Sequence, residues 1–173
     1  TCSGVGGQGV LTLGTILAES AASLGLFATW LPVYEGAMRG GASASLVKIS
    51  DEKIISPFMD EMDILVALNE VSLQIYADRV VPGGYIIVEE ELVLDIPEYP
   101  GRTVLKVPAV QLSTELGNPK GMSVVVAGAI VACSDLFPYD TALDAVGAYF
   151  KGKGLPVEAN QKAFVAGYHF VKK

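Results

Sequence analysis

Cysteine and histidine are scarce in this sequence, which has two cysteines and one histidine among 173 residues. Cys2 and Cys133 are far apart and do not form a CxxC pair. So few cysteines without this spacing are typical of a protein in a reducing cytoplasm and argue against a disulfide-stapled secreted domain. We expect both thiols to be buried as small hydrophobic side chains. His169 has no cysteine or carboxylate at metal-ligand spacing, so we predict that it is a surface or core residue and assign no metal site.

Long apolar runs and basic clusters are also missing. No uninterrupted apolar stretch reaches the roughly 18 to 20 residues of a membrane span, because Pro, Gly, Asp or Glu interrupts every candidate. The net charge is −7 and the longest Lys/Arg run is Lys172-Lys173, so nucleic acid is a poor candidate partner. Even so, 51% of the residues are hydrophobic and 18% charged. We interpret this apolar excess as a sign of a large subunit interface rather than a membrane contact.

Several catalytic motifs are absent as well. The sequence has no G-x-S-x-G elbow, no Walker lysine and no H-E-x-x-H, so hydrolase and NTPase functions lack their usual support, and we assign no catalytic residue. Thr1-Cys2-Ser3 lacks the basic and apolar regions of a signal peptide. We expect Thr1 to lie inside a first strand whose start precedes it.

Apolar runs and helical periodicities alternate along the chain. This pattern predicts one domain, residues 1–173, with a Rossmann-like three-layer α/β sandwich around a largely parallel or mixed sheet. After the first strand, strands are predicted at 27–33, 43–50, 64–68, 85–88 and 103–107, and helices at 10–24, after Asn69, and at 110–116, 122–136, 141–150 and 157–170. We predict that Pro82-Gly83-Gly84 is a turn before a strand and that Glu89-Glu90-Glu91 is a solvated loop.

The glycine-rich stretch from Gly4 to Gly9 is the first candidate site. It fits G-x-G-x-x-G between a strand and a helix, where backbone N–H groups and the helix dipole can hold a phosphate or another anion. A dinucleotide site also needs an acid about twenty positions on. The first acid near that place, Glu35, comes after the predicted second strand, which disfavours NAD(P). The predicted cofactor-binding residues here are Gly4, Gly6, Gly7, Gln8 and Gly9, with simple packing of the helix on the sheet as the alternative.

Two further candidates follow predicted strands. Arg39, beside Gly40 and Gly41, can turn its planar guanidinium toward a carboxylate or phosphate, and Tyr34 in the same loop offers a stacking surface. The alternative for Arg39 is a solvated loop cation. Asn69 follows a buried strand at the sheet edge where open α/β sheets bind ligands, and its alternative role is a helix cap.

The combination of these motifs resembles the gamma subunit family of 2-oxoacid:ferredoxin oxidoreductases. The resemblance spans essentially the whole chain, and one departure is Glu35-Gly36-Ala37, where many members carry Gly-Pro-Glu. The Met-Arg-Gly-Gly form resembles the 2-oxoglutarate or branched-chain 2-oxoacid type. The segments that carry the resemblance to the family are Gly4-Val5-Gly6-Gly7-Gln8-Gly9-Val10, Trp30-Leu31-Pro32, Tyr34, Met38-Arg39-Gly40-Gly41, Ala67-Leu68-Asn69, Pro82-Gly83-Gly84 and Gly117-Asn118-Pro119.

The resemblance implies a reaction in which a 2-oxoacid and coenzyme A give an acyl-CoA and carbon dioxide, with electrons passed to ferredoxin. Thiamine diphosphate, Mg²⁺ and [4Fe–4S] clusters would lie on partner subunits, since two cysteines cannot supply four cluster ligands. The implied partners are alpha and beta subunits, with delta in some assemblies, and coenzyme A would bind at a shared site. The remaining alternatives are a free-standing NAD(P)- or nucleotide-binding protein and a purely structural subunit.

Overall fold

A six-stranded sheet lies at the centre of the molecule. The computed structural model describes residues 1–34, 42–134 and 136–173. Apolar residues of the central strands are buried on both faces of the sheet, as predicted for strands covered on two sides. The strands, in chain order, are β1 (Cys2–Val5), β2 (Phe27–Tyr34), β3 (Ala42–Ser50), β4 (Met62–Ala67), β5 (Val80–Glu89) and β6 (Thr103–Val107).

The sheet is mixed, with one strand reversed. Its order is β2-β3-β1-β4-β5-β6. β1, β4, β5 and β6 pair in parallel, and β3 is antiparallel to both β1 and β2. Every strand of the described chain except β3 therefore points the same way, which confirms the predicted largely parallel or mixed sheet.

Helices cover the sheet unequally on its two faces. The helices are α1 (Val10–Ser23), α2 (Glu70–Tyr76), α3 (Ala109–Glu115), α4 (Met122–Cys133), α5 (Tyr139–Gly152) and α6 (Val157–Lys172). The larger core cluster joins the sheet to α1, α4, α5 and α6, whereas the smaller cluster joins its other face to α2. This arrangement gives the predicted three-layer sandwich. No helix in the described ranges is both long enough and apolar enough to cross a membrane.

The helix α4 forms the centre of the larger core. Every residue from Met122 to Ala132 is buried, as expected for a helix that is apolar on all sides. The helix ends at Cys133 and not at residue 136 as predicted. The backbone of Ser134 is extended, and its hydroxyl donates a hydrogen bond to the Ile130 carbonyl at 2.7 Å.

The prediction of a turn at Pro82-Gly83-Gly84 is wrong, because these residues lie inside β5. The register with β4 shifts from Met62 opposite Val80 to Ile64 opposite Tyr85, so the segment forms a bulge. Gly83 has a φ of 84° and donates its N–H to the Gly101 carbonyl at 2.6 Å. The glycines therefore bend a strand that continues through them.

Candidate functional site

The predicted site residues that the structure describes lie along one edge of the sheet. We call it the carboxyl edge, because β1, β2, β4, β5 and β6 all end there. Ser43 of β3 pairs with Tyr34 of β2 on one side and with Gly4 of β1 on the other. Tyr34 and Gly4 are therefore two strands apart, roughly 10 Å. Arg39, Gly40 and Gly41 lie outside the described residues.

The glycine-rich loop has two closely packed positions. A Cβ at Gly4 would overlap the side-chain oxygen of Gln8, and a Cβ at Gly9 would overlap the Ser123 side chain of α4. Gly9 also has a φ of 75°, which favours glycine. The predicted alternative role in packing therefore applies to Gly4 and Gly9.

Gly6 and Gly7 form the open part of the loop. Both are exposed, and a Cβ at either position would meet nothing within 4 Å. Gly7 has a φ of 97°, so its backbone shape needs glycine even though the space around it is empty. These two residues present main chain to an approaching ligand.

Gln8 holds the loop against the end of β4. Its Oε1 atom accepts a hydrogen bond from the Val5 N–H at 2.7 Å, and its Nε2 atom donates to the Leu68 carbonyl at 3.1 Å. Both ends of the side-chain amide are thus bonded to the chain's own backbone. A ligand-binding role for Gln8 stays a prediction, and its observed role is to position the loop.

Asn69 caps α2, which is the alternative role predicted for it. Its Oδ1 atom accepts from the Ser72 N–H at 2.7 Å. The Ser72 hydroxyl in turn lies 2.8 Å from the Ser3 hydroxyl, and Ser3 also donates to the Ser43 carbonyl at 3.5 Å. This buried serine network joins β1, β3 and α2 near the carboxyl edge. The sequence analysis did not identify it, because isolated serines give no periodic signal.

The acidic run from Glu89 to Glu91 is not uniformly solvated, so that prediction is wrong for its first residue. Glu89 is 0% exposed at the end of β5. Its Oε2 atom accepts from the N–H groups of Glu91 and Leu92, each at 2.8 Å, and its Oε1 atom accepts from Val110 at 3.0 Å. Since Val110 is in the first turn of α3, one carboxylate joins β5 to the start of that helix.

The amino-terminal ends of α1 and α4 lie side by side at the carboxyl edge, since Gly9 packs on Ser123. Neither helix has an acidic residue in its first turn, nor a side-chain cap. Their positive dipole ends therefore add, and Lys120, exposed in the turn Pro119–Gly121, adds a full positive charge just before α4. This arrangement favours the binding of an anion.

The described residues offer little for covalent or metal chemistry. Burial raises the pKa of the Cys2 thiol, and burial likewise raises the pKa of Cys133 to about 11, so both thiols stay protonated near neutral pH. Cys2 is buried as predicted, whereas Cys133 is half-buried against the larger core. His169 is exposed. Among the described residues, no three His, Cys, Asp or Glu side chains are grouped to hold a metal ion.

The strand order disfavours a dinucleotide site. In the dinucleotide-binding order the second strand lies beside the first and places its acidic residue near the glycine loop. Here the antiparallel β3 separates β2 from β1. The end of β2 is thus displaced by one strand from the position that would hold a ribose.

Comparison with known proteins gives relatives that cover the whole chain. The family model described as "Pyruvate ferredoxin/flavodoxin oxidoreductase" matches residues 1–170. Ketoisovalerate oxidoreductase subunit VorA of Methanothermobacter marburgensis is 33% identical over 99% of this chain, which spans only 36% of that relative's length. The 2-oxoglutarate synthase subunit KorC of Methanocaldococcus jannaschii is 35% identical over 99% of this chain and 92% of its own.

Solved structures show the same fold. The gamma subunit of a keto/oxoacid ferredoxin oxidoreductase from Geobacter sulfurreducens has a TM-score of 0.83 and 29% identity, covering 99% of this chain and 96% of its own. A 2-oxoglutarate:ferredoxin oxidoreductase from Magnetococcus marinus, solved with 2-oxoglutarate, coenzyme A and succinyl-CoA, has a TM-score of 0.86 and 22% identity, covering 99% of this chain and 30% of its own. The chain therefore belongs to the pyruvate ferredoxin/flavodoxin oxidoreductase family, as a gamma-type subunit.

Proposed function

We propose that this chain is the gamma part of a cytoplasmic 2-oxoacid:ferredoxin oxidoreductase and forms one wall of its coenzyme A site. In the overall reaction a 2-oxoacid and coenzyme A give an acyl-CoA, carbon dioxide and one proton, and two electrons pass to ferredoxin. The bond between the carboxylate carbon and the keto carbon of the 2-oxoacid breaks. A thioester bond forms between the keto carbon and the sulfur of coenzyme A. This chain's own share is to bind and orient an anionic reactant.

The residues of this chain do not fit the redox cofactors of such a reaction. A [4Fe–4S] cluster needs four thiolates, and this chain has two cysteines, both with a raised pKa. We therefore assign thiamine diphosphate, Mg²⁺ and the clusters to partner alpha and beta subunits, with delta in some assemblies. The isolated chain is expected to be inactive.

The observation that carries the proposal is that the amino termini of α1 and α4 lie side by side at the loop whose backbone is exposed at Gly6 and Gly7. Coenzyme A has a pyrophosphate and a further phosphate, and such groups bind well where backbone N–H groups and helix dipoles point at them. Gly6 and Gly7 supply the open backbone, α1 and α4 supply the dipoles, and Lys120 supplies a positive charge just before α4. The Magnetococcus marinus enzyme with the same fold was solved with coenzyme A bound.

A role for Arg39 follows from its place in the chain. Tyr34 and Ala42, which flank residues 35–41, both lie at the carboxyl edge. We assign Arg39 to a second phosphate of coenzyme A or to the loop over the substrate. The 2-oxoacid is 2-oxoglutarate or a branched-chain acid in this proposal, supported by the Met38-Arg39-Gly40-Gly41 form and by relatives named for 2-oxoglutarate and ketoisovalerate.

Steady-state kinetics of the assembled enzyme test the site. Gly6→Val adds a side chain in empty space, so the fold should be kept while the approach of a phosphate is blocked. We expect the KM for coenzyme A to rise about tenfold or more, on the order of the loss of one charge-assisted hydrogen bond. Arg39→Ala should also raise it, with partial recovery in Arg39→Lys.

The control is Gly152→Val, another exposed glycine with open space around it, at the end of α5. Its KM for coenzyme A should match that of the unchanged enzyme. If Gly6→Val and Arg39→Ala assemble fully and leave this KM unchanged, the chain is a structural subunit whose loops touch no ligand.

A further inference from the structure

Two asparagine side chains join α6 to the chain just before α4. The Asn118 Nδ2 atom donates a hydrogen bond to the Asn160 Oδ1 atom at 3.1 Å, although 42 positions separate the two residues. Asn160 lies on α6 and is only 6% exposed. Asn118 is half-buried and comes just before the turn Pro119–Gly121, which leads into α4. This amide pair therefore links the start of α4 to a helix on a distant part of the chain.

A second hydrogen bond fixes the orientation of the Asn160 amide. Its Nδ2 atom donates to the Pro156 carbonyl at 2.6 Å, one turn earlier at the start of α6. A carbonyl oxygen can only accept, so the NH2 group of Asn160 must face Pro156. Its side-chain oxygen therefore faces Asn118, which must present its own NH2 group. Asn160 thus offers Asn118 an acceptor whose direction is set by α6.

Asn118 in turn holds the backbone that leads into α4. Its N–H donates to the Ser113 carbonyl at 2.9 Å, and its own carbonyl accepts from the Gly121 N–H at 2.7 Å. Gly121 directly precedes α4, and a Cβ there would lie 2.6 Å from the Asn118 Nδ2 atom. Lys120 lies in the turn that the bond between Asn118 and Gly121 closes.

The turn and the helix start that Asn118 holds belong to the proposed anion site. Lys120 supplies its positive charge, and α4 begins beside the glycine-rich loop, because Ser123 of its first turn packs on Gly9. The attraction between a helix amino terminus and an anion is confined to the first turn of the helix, so it depends on where that turn lies. A shift of this turn would move Lys120 and the N–H groups of α4 relative to the loop.

We propose that Asn160 is a positioning residue for this site, and that it acts through Asn118 on Lys120 and the first turn of α4. The inference rests on the proposed function, since the anion is a phosphate of coenzyme A. In this role Asn160 orients the site without touching the anion. When the bond between the two asparagines is lost, the turn samples more arrangements, a smaller fraction of the molecules is competent to bind, and coenzyme A binds more weakly.

Steady-state kinetics of the assembled enzyme test this role with Asn160→Ala. We expect the KM for coenzyme A to rise about fivefold, on the order of one lost hydrogen bond. The kcat at saturating coenzyme A and the KM for the 2-oxoacid should not change, because only the binding of coenzyme A is weakened.

The matched control is Gln161→Ala, at the next position of the same helix. The Gln161 Nε2 atom donates to the Leu143 carbonyl of α5 at 3.3 Å, so this variant loses a bond of α6 that does not reach α4. Its KM for coenzyme A should equal that of the unchanged enzyme. Equal increases in Asn160→Ala and Gln161→Ala would mean that any loosening of α6 weakens the site, which contradicts a positioning role for Asn160.

A double substitution tests the route through Asn118. Asn118→Ala removes the same bond from its half-buried end and should raise the KM for coenzyme A by a similar factor. This single variant is also informative if Asn160→Ala does not assemble, and an unchanged KM in it would contradict the proposal. With Asn118→Ala already present, Asn160→Ala should raise the KM little further. Effects that multiply would exclude the route through Asn118.

Gly6→Val, measured alongside, separates this inference from the proposed function. A raised KM for coenzyme A in Gly6→Val, with an unchanged KM in assembled Asn160→Ala and Asn118→Ala, would overturn the role of Asn160 and leave the proposed site standing. An unchanged KM in all three variants would overturn the proposed site and the role of Asn160 with it.

Discussion

Glu89 shows how a single carboxylate holds the carboxyl edge together. It is fully buried and accepts three backbone N–H groups, one of which belongs to α3. Through these hydrogen bonds the carboxylate holds α3 and the turn after β5 in fixed positions. If the carboxylate were removed, all three N–H groups would lose this acceptor, and the Leu92 N–H would keep its longer bond of 3.3 Å to the Glu89 carbonyl.

We expect Glu89→Ala to lower the free energy of unfolding by about 3 kcal/mol, because three N–H groups lose a charged acceptor. Urea unfolding measures this change. The neighbouring exposed residues provide the control, since Glu90→Ala and Glu91→Ala should stay within about 0.5 kcal/mol of the unchanged chain. An equal effect at all three positions would mean that Glu89 has no special role.

The sequence could not show which acid of the run is buried. Three consecutive glutamates have the same local composition, and their burial depends on where β5 ends. Ile86, Ile87 and Val88 are all buried, so the strand is covered on both faces up to Glu89. By contrast, the glycine loop was predictable, because glycines at this spacing between an apolar strand and a periodic helix are typical of a tight strand-to-helix turn.

At the scale of elements, the sequence predicted most helices and strands but not the direction of β3. Alternation of apolar and polar residues is the same in a parallel and an antiparallel strand, so the pattern carries no direction. The β5 bulge was missed for a related reason. Pro82-Gly83-Gly84 is typical of a turn, and only the register with Met62 and Ile64 shows that pairing resumes after it.

The crossing of α4 and α6 depends on two glycines. A Cβ at Gly128 would overlap the Phe164 carbonyl oxygen, and a Cβ at Gly167 would overlap the Val125 carbonyl oxygen. We expect Gly128→Ala and Gly167→Ala each to lower the free energy of unfolding by about 1–3 kcal/mol through overpacking. This loss is measured by urea unfolding.

The control for this crossing is Gly152→Ala at the exposed end of α5, where a Cβ meets nothing within 4 Å. Alanine has the higher helix propensity, so this variant should be neutral or gain up to about 1 kcal/mol. A gain at Gly128 or Gly167 as well would show that the two helices can separate at little cost.

For the whole molecule, stability depends on pH when the chain begins with the free amino group of Thr1. Burial lowers the pKa of this amine, an effect that the nearby Cys2 and Asp63 oppose and Arg79 reinforces. In the unfolded chain the amine keeps its ordinary pKa near 8. Between the lowered value and pH 8 the unfolded state therefore binds more protons, so the free energy of unfolding falls as the pH drops through this window.

Urea unfolding between pH 6 and pH 9 measures this dependence in the chain that begins at Thr1. The N-acetylated chain is the control, because its terminal nitrogen does not titrate. We expect the free energy of unfolding of the free-amine chain to fall further below that of the acetylated chain as the pH is lowered. Parallel curves for the two chains would show that the amine is solvated in the folded state.

Because β3 runs antiparallel to β2, the connection between these two strands can change without changing how they pair. Tyr34 pairs directly with Ser43, and this pairing continues along the strands to Phe27 opposite Ser50. The sheet register is therefore set without residues 35–41, which connect two adjacent strand ends at the carboxyl edge. In general, connections between paired strands tolerate changes in length and composition at small cost in stability. Changes in these seven residues, Arg39 among them, should therefore leave the pairing of β2 with β3 unaltered.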